Sequence, residues 1–340
     1  MNSSLRLGVQ ILTGLLILLG AGLLFVGVFF LWASSSRYSE EDYARLETSD
    51  EYPLKTTTNE ITVLSFNIGY LSGLTNNQAV NRTQDLYDDN LDTVIKALKP
   101  LNPDILALQE IDFDSRRSFR VDQVKALNTV FEYPQQAIAI NWDKRYVPFP
   151  SWSPTAHFGE ILSGQAILSR FPITRHERFV LEKVATNPFY FNALYLDRLA
   201  QVADVQIGDQ TLIVINLHLE AFDRPTRQNQ TEFVLALAEQ YAEQHPVLLV
   251  GDFNSALNRD DEGEPRSIQT VLESSTFTPA VSAESWTQSE QFTFPSDSPQ
   301  YKLDYIFYTP DSIELVDVDI PQTTAQASDH LPVLMRLRLR

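Results

Sequence analysis

Between Leu7 and Ala33 the chain carries no charged residue, and Gln10 and Thr13 are the only strongly polar side chains in that stretch. As a helix rising ~1.5 Å per residue, this run is about 40 Å long, more than the ~30 Å hydrocarbon core of a bilayer requires. The apolar part of a cleavable secretion signal usually runs ~7–15 residues, so the length favours a retained anchor. The small residues Ala33 to Ser36 keep cleavage open as the alternative. Four regions follow: a leader (1–6), a transmembrane anchor (7–33), a polar stalk rich in Ser, Thr, Glu and Asp (34–59), and one large folded domain (60–340). Arg6 precedes the span, while Arg37 and the acidic run Glu40, Glu41, Asp42 follow it, so the positive-inside signal is weak. The short leader predicts a cytoplasmic N-terminus and an exported domain, periplasmic or extracellular.

Composition narrows the chemistry. There is no cysteine, which excludes disulfides, thiolate zinc sites, iron–sulfur clusters and cysteine nucleophiles, so any metal must be held by oxygen or imidazole. The net charge is −18, from 26 basic and 44 acidic residues, and becomes −19 once Arg6 is set aside with the leader. A surface this acidic is poorly suited to gripping a polyanion at long range.

From Ile61 onwards, short β-rich runs alternate with helical periods. Strands are expected at 61–66, 104–108, 136–140, 165–168, 199–207, 211–217, 247–250, 305–308 and 333–339. Helices are expected over 89–98 and from near Asp223, a plausible N-cap, with Pro225 in the first turn. Hairpin spacing around Gly208-Asp209, mixed with strand–helix–strand units, predicts a mixed α/β domain built on packed sheets. No P-loop, G-x-G-x-x-G, G-x-S-x-G or H-E-x-x-H is present.

What remains is a series of polar residues at strand ends. Asn67 follows Ile61–Phe66, Gln109-Glu110 follow Asp104–Leu108, and His218 follows Leu212–Leu217. Asp252-Phe253-Asn254 follow Val247–Gly251, Asp304 follows Lys302-Leu303, and Asp329-His330 follow Ala327-Ser328. One Asp or Asn after a strand is commonly a turn residue. A whole series, gathered at one edge of packed sheets, makes a carboxylate-rich cluster suited to a hard divalent cation such as Mg²⁺ or Mn²⁺. A metal, a carboxylate base and imidazoles together suit attack of water on phosphorus.

Those residues carry a resemblance. Ser65-Phe-Asn67, Leu108-Gln-Glu110, Ala166-Ile-Leu-Ser-Arg-Phe-Pro-Ile173, Asn216-Leu-His218, Gly251-Asp-Phe-Asn254, Leu303-Asp-Tyr305 and Ser328-Asp-His-Leu-Pro-Val333 resemble, in order, the motifs of the endonuclease/exonuclease/phosphatase superfamily. That superfamily includes deoxyribonuclease I, abasic endonucleases, neutral sphingomyelinases and inositol polyphosphate 5-phosphatases. The resemblance spans about residues 60 to 340 and implies a four-layer α/β sandwich with two central mixed β-sheets. It also implies a divalent-metal-dependent hydrolase of phosphate esters, with Glu110 as principal metal ligand, Asn67 beside it and Asp329 close by. Asp252 would position or deprotonate the attacking water, and Asn254 would orient the phosphate. His218 and His330 would donate hydrogen bonds to non-bridging oxygens, and Asp304 would orient His330. Two departures leave the substrate open: Gln165 stands where many relatives have Asn, and the phosphate-directed tyrosine of abasic endonucleases has no assignable counterpart.

Beyond the motifs, Arg224 and Arg227 at the start of the 223-onward helix are candidate substrate-binding cations, with a solvated helix face as the alternative. The stretch Asn141 to Glu160, with Trp142, Tyr146, Phe149 and Trp152, reads as an aromatic-anchored loop, a substrate wall or a bilayer contact. His157, His176 and His245 read as ordinary packing or surface residues. The favoured function is therefore a membrane-anchored phosphoesterase acting on a small or lipid-linked ester. An exported nuclease is disfavoured by the lack of any dense Lys/Arg stripe, and the third alternative is a non-catalytic binding module. Oligomeric state is not legible.

Overall fold

Period-2 alternation in the strands sets the layers of this molecule. In 61–67, Ile61 and Val63 face one way while Leu64 and Phe66 face the other, and both pairs are buried. A strand apolar on both faces must lie between two layers, and that holds in each of two sheets. The structure, a computed structural model, describes residues 3–151, 153–259, 263 and 266–340. In chain order its elements are α1 (Ser3–Ser34), β1 (Ala44–Thr48), β2 (Ile61–Asn67), α2 (Gln84–Leu98), β3 (Ile105–Asp112), α3 (Gln123–Phe131), β4 (Gln135–Val147), β5 (Gly159–Ser169) and β6 (Ile173–Val180). There follow α4 (Phe189–Leu194), β7 (Leu199–Ile207), β8 (Gln210–His218), α5 (Arg224–Ala242), β9 (Val247–Asp252), α6 (Ser267–Leu272), β10 (Thr278–Pro279), β11 (Asp304–Tyr308), β12 (Ile313–Asp319) and β13 (Val333–Leu339).

Among the described residues the strands form a seven-stranded sheet, β1-β4-β5-β3-β2-β13-β12, and a six-stranded sheet, β10-β11-β9-β8-β7-β6. Ile61, Val63 and Ile105 of the first sheet meet Val214, Leu248 and Val250 of the second in the central core. Outside, α2 and α3 cover the seven-stranded sheet through Val94, Leu98, Leu127 and Phe131. On the other side α5 and α6 cover the six-stranded sheet through Val234, Ala238, Ile268 and Val271. This is the four-layer sandwich expected from the motifs.

The helix expected over 89–98 begins earlier, at Gln84, where Thr83 Oγ1 accepts from Leu86 N at 3.4 Å. Helix α5 starts where expected: Asp223 Oδ1 accepts from Thr226 N at 2.9 Å and Pro225 sits in the first turn. The stretch read as a polar stalk departs from expectation, because β1 pairs antiparallel with β4, Ala44 opposite Ala139 and Thr48 opposite Gln135. Arg37 explains the docking. Its guanidinium reaches Asp114 at 2.9 Å, Glu160 at 2.5 Å and Asp143 at 3.5 Å, so three carboxylates of the domain draw the segment onto it. Local polarity alone carries no sign of these distant partners. Helix α1 is long and apolar enough over Leu5–Ser34 to cross a membrane, and the span is not buried within the protein.

Each sheet holds one parallel pair at its centre, β2/β3 and β8/β9, and their carboxyl ends lie at the same edge of the sandwich. Register then puts Asn67 beside Gln109, His218 beside Asp252, and Asp304, across β11/β9, opposite Asp252.

Candidate active site

The dispersed strand ends converge on Asp252. Asn67 Nδ2 donates to Asp252 Oδ2 at 3.0 Å, and Asn254 donates twice, its backbone N to Oδ1 at 2.9 Å and Nδ2 to Oδ2 at 3.3 Å. Both imidazoles approach the same oxygen, His218 Nε2 at 3.6 Å and His330 Nε2 at 3.7 Å. Gly251 makes this possible. It has φ +134°, and a Cβ there would lie 2.0 Å from Leu217 O, so only glycine lets β9 lie close enough to β8 for His218 to stand by Asp252. Glu110 and Asn254 hold left-handed φ values of +50° and +51°, a conformation that costs a non-glycine residue energy and clusters at functional sites.

The acids and imidazoles divide by charge. Burial pushes the Asp252 carboxyl up to about 6, with the His330 charge opposing this and Asp304 adding to it. Burial also opposes a charge on His330, but Asp304 and Asp252 outweigh it and hold the imidazole well above its usual value. Its Nδ1 bonds Asp304 Oδ2 at 2.8 Å, which leaves Nε2–H directed at the Asp252 side. His218 goes the other way: burial, then Arg198 and His330, keep it neutral. Arg198 Nη1 lies 2.5 Å from His218 Nε2, and because guanidinium only donates, that nitrogen is an acceptor. At Nε2 it is therefore Arg198 that supplies the N–H, so the donor role expected of His218 is not seen at that nitrogen.

Two acidic groupings suggest a cation. Asp252, Asp304 and His330 have ligand atoms within 4.8 Å of one another, but the His330–Asp304 bond commits that group to holding a proton. The other fits a metal better. Glu110 Oε2 and both oxygens of Asp329 converge on Asn76 Nδ2, at 2.8 Å and 3.3 Å, so two carboxylates already point at one positive end of a dipole. Burial, with the Glu110 charge adding to it, pushes Asp329 up to about 6. Two buried acids with oxygen-only donors and Asn67 alongside are the environment a hard divalent cation relieves. Gly69, φ +53°, keeps the place open, since a Cβ there would lie 2.6 Å from Asp329 Oδ1.

The sequence matches the Endonuclease/Exonuclease/phosphatase family over residues 64–330, which takes in every one of these side chains. The chain belongs to that family. Its members are hydrolases acting on phosphate ester bonds. Among curated proteins a UPF0294 protein of Vibrio cholerae serotype O1 is 31% identical over 147 residues, 43% of this chain and 47% of that protein. The chain thus spans about half the length of the curated relatives it matches. Among solved structures, an endonuclease/exonuclease/phosphatase from Beutenbergia cavernae DSM 12333 is 19% identical at a TM-score of 0.61, covering 83% of this chain and 72% of that one. The human Nocturnin catalytic domain with bound sulfate is 17% identical at 0.56, covering 85% and 98%. Both likenesses are of fold.

Around this Endonuclease/Exonuclease/phosphatase floor lies a cavity of about 460 Å³ whose wall is aromatic: Trp142, Phe149, Phe158, Phe191, Tyr195 and Phe222. The expected aromatic loop 141–160 is in part strand, because β4 runs on to Val147. Its Trp142 and Phe149 reach the wall, Tyr146 packs instead on α1, and Trp152 lies outside the described residues. The cations differ from expectation. Neither Arg224 nor Arg227 lines the cavity; Arg227 is buried, its Nη1 donating to Glu220 O at 2.9 Å. Helix α5 turns that side chain inward, so it braces the loop after β8. Arg198 and Arg259 line the cavity instead. Arg198 was legible only through pairing, since Leu199 beside it sits opposite His218. Asn76 lies in a loop and Gly69 and Tyr70 in a short 3₁₀ turn (Gly69–Leu71), and no period marks either. Of the remaining histidines, His157 Nδ1 bonds Tyr146 OH at 2.8 Å, burial lowers His176 to about 4, and His245 lies away from this cavity.

Beneath the floor a seam of carboxamides joins the sheets. Gln109 Nε2 donates to Asn216 Oδ1 at 2.6 Å, Asn216 Nδ2 to Gln201 Oε1 at 3.0 Å, and Gln165 Nε2 to Asn216 O at 3.0 Å. Gln165, the departure from the motif, therefore spans the gap between sheets, and losing any one partner would strand buried polar groups at a cost of about 1–3 kcal/mol each.

Proposed function

We propose that this chain is a membrane-anchored, Mg²⁺-dependent phosphoesterase that hydrolyses a small or lipid-linked phosphate ester by in-line attack of water. The observation that carries the reading is the set of groups on Asp252: two carboxamides, two imidazoles and, next door, a carboxylate pair suited to a cation. Glu110 and Asp329, with Asn67, would hold Mg²⁺ or Mn²⁺, which when bound neutralises phosphate charge and the charge that develops in the transition state. Asp252 Oδ2 accepts a proton from the attacking water as its oxygen bonds to phosphorus, the opposite P–O ester bond breaks and the departing oxygen takes a proton from solvent, while Asn67 and Asn254 fix the carboxylate in place. His330, kept protonated by Asp304, donates from Nε2 to a non-bridging oxygen, and Arg198 offers N–H groups to the same developing charge. The aromatic wall, with Arg198 and Arg259 as its cations, supports a substrate with an apolar portion over a nucleic acid strand.

The long apolar helix α1 supports the anchor, and the orientation proposed with it puts the domain on the exported side. Protease protection of the domain on the cytoplasmic side would overturn that orientation. The chemistry is tested with phosphodiesters, inositol phosphates, sphingomyelin and plasmid DNA, with and without Mg²⁺, for wild type, Asp252→Ala and His330→Ala. Turnover of a small or lipid ester, lost on chelation and in both variants, is the expected result. DNA cleavage alone makes the protein a nuclease, and no turnover by the folded, metal-loaded chain makes it a binding module.

A further inference from the structure

Helix α4 is only six residues long, yet it touches two distant parts of this molecule. On one side Phe191 stacks on Tyr195 at 5.1 Å and meets Phe149 at 5.4 Å, all three on the cavity wall. On the other side Phe189 stands 77% exposed and Tyr190 55% exposed, with Phe222 on the cavity rim at 82%. Phe189 is not isolated: its ring meets Phe30 of α1 edge-on at 5.9 Å. The end of α1 is held there by other contacts as well. Phe29 and Trp32 pack on Tyr146 at 5.7 and 6.4 Å, Lys144 Nζ donates to Ser34 O at 3.0 Å, and Arg145 N donates to Ser35 O at 3.2 Å.

These contacts fix a level. If α1 spans a bilayer, its 32 residues exceed the ~30 Å hydrocarbon core, so its last turns, with Phe29, Phe30 and Trp32, lie in the interface where aromatic rings settle. Phe189 is in ring contact with Phe30 and therefore lies at that level too. Beside α4 itself the cation Lys183 is paired with Asp197 at 2.9 Å, and the chain as a whole is acidic.

We infer that α4 is a membrane-contact helix. Its Phe189 and Tyr190 enter the surface of the bilayer that holds α1, and through Phe191 the cavity opens toward phosphate esters carried by lipids of that same bilayer. This deepens the phosphoesterase reading and rests on it for the substrate class, while the contact itself does not depend on catalysis. The contact is apolar, so it holds on neutral lipid and persists at high salt.

The chain has no cysteine, so a single introduced one is a unique labelling site. The full chain is placed in phosphatidylcholine vesicles with an environment-sensitive fluorophore at Tyr190→Cys, or at Asp209→Cys in the turn at the opposite edge of the sheets. The expected result is a blue-shifted label at 190, quenched by lipid-borne quenchers at low and high salt, and a water-exposed label at 209. A label at 190 as wet as that at 209 overturns the contact. A shift at 190 that follows protein density at fixed lipid also overturns it, in favour of a second copy of the chain. In the second arm, Phe189→Ser/Tyr190→Ser lowers turnover of a lipid phosphate ester in the vesicle about tenfold and leaves bis(p-nitrophenyl) phosphate unchanged. Equal loss on both substrates overturns the link between α4 and lipid access. Should wild type hydrolyse neither, the phosphoesterase reading fails while the label still decides the membrane contact.

Discussion

The floor and the wall of the cavity are built by different rules. The floor is polar, buried and tied together: Asp252 alone receives hydrogen bonds from Asn67 and Asn254 and faces two imidazoles. Its residues stand at the ends of paired strands, so register fixes their spacing to that of the backbone ladder. The wall is aromatic and assembled from the end of β4, from α4 and from loops, and its outermost ring, Phe222, is 82% exposed. Chemistry needs the first kind of precision; admitting a substrate needs only the second. The comparison predicts that floor substitutions act on turnover whatever the substrate, and that wall substitutions act on which substrate is taken.

The largest effect tests the floor. Asp304→Asn keeps the shape but removes the charge that holds His330 protonated, so kcat should fall about 10²–10⁴-fold with KM nearly unchanged. Steady-state kinetics with Mg²⁺ on a soluble diester measures this, and a change confined to KM would move Asp304 from the floor to the binding surface. Arg198 sits where floor meets wall. Arg198→Met should lower kcat/KM about 10²-fold, and Arg198→Lys should recover only part, because lysine restores charge without the planar fork. Full recovery by lysine would reduce Arg198 to a point charge. A smaller effect is expected from Gly69→Ala, whose Cβ would lie 2.6 Å from Asp329 Oδ1. Displacing one carboxylate should raise the Mg²⁺ concentration needed for half-maximal activity about tenfold, with the circular dichroism of the fold retained. An unaltered Mg²⁺ requirement would remove Asp329 from the cation site.

The difference between floor and wall also explains what was legible in the sequence. Asn67, Glu110, His218, Asp252, Asp304 and His330 were readable because each ends or begins an apolar run, and a period-2 run announces its own boundary. The two-sheet sandwich followed from the same runs. Helix α5 was readable from Asp223 and Pro225, a cap and a first-turn residue that act locally. Residues whose placement depends on distant partners were not readable. Arg37 binds Asp114, Asp143 and Glu160, far away in the chain, so its segment looked like a free stalk. Asn76 reaches Glu110 and Asp329 from a loop with no period. Helix α4 has six residues, too few to display a helical face. Its exposed rings make sense only beside α1.

The smallest effect is expected at the two arginines that the sequence offered either as substrate-binding cations or as a solvated helix face. Arg224 and Arg227 open α5, where helix amides and guanidinium groups could face an anion, but neither side chain lines the cavity. Arg227 is spent inward on Glu220 O, and Glu220 in turn stands 3.6 Å from Arg198, so a change at 227 would disturb the floor indirectly. Arg224 is the cleaner test. It is half-buried in the first turn of α5, on the side of Gly263, which lies 3.8 Å from its Nη1 when a Cβ is placed there. Truncation to alanine removes no lining residue of the cavity. Arg224→Ala should therefore leave KM for a phosphate ester within about twofold in steady-state kinetics. A fall in kcat/KM approaching that of Arg198→Met would mean that α5 swings its first turn over the bound phosphate, and the wall would then contain a cation that its resting arrangement keeps outside.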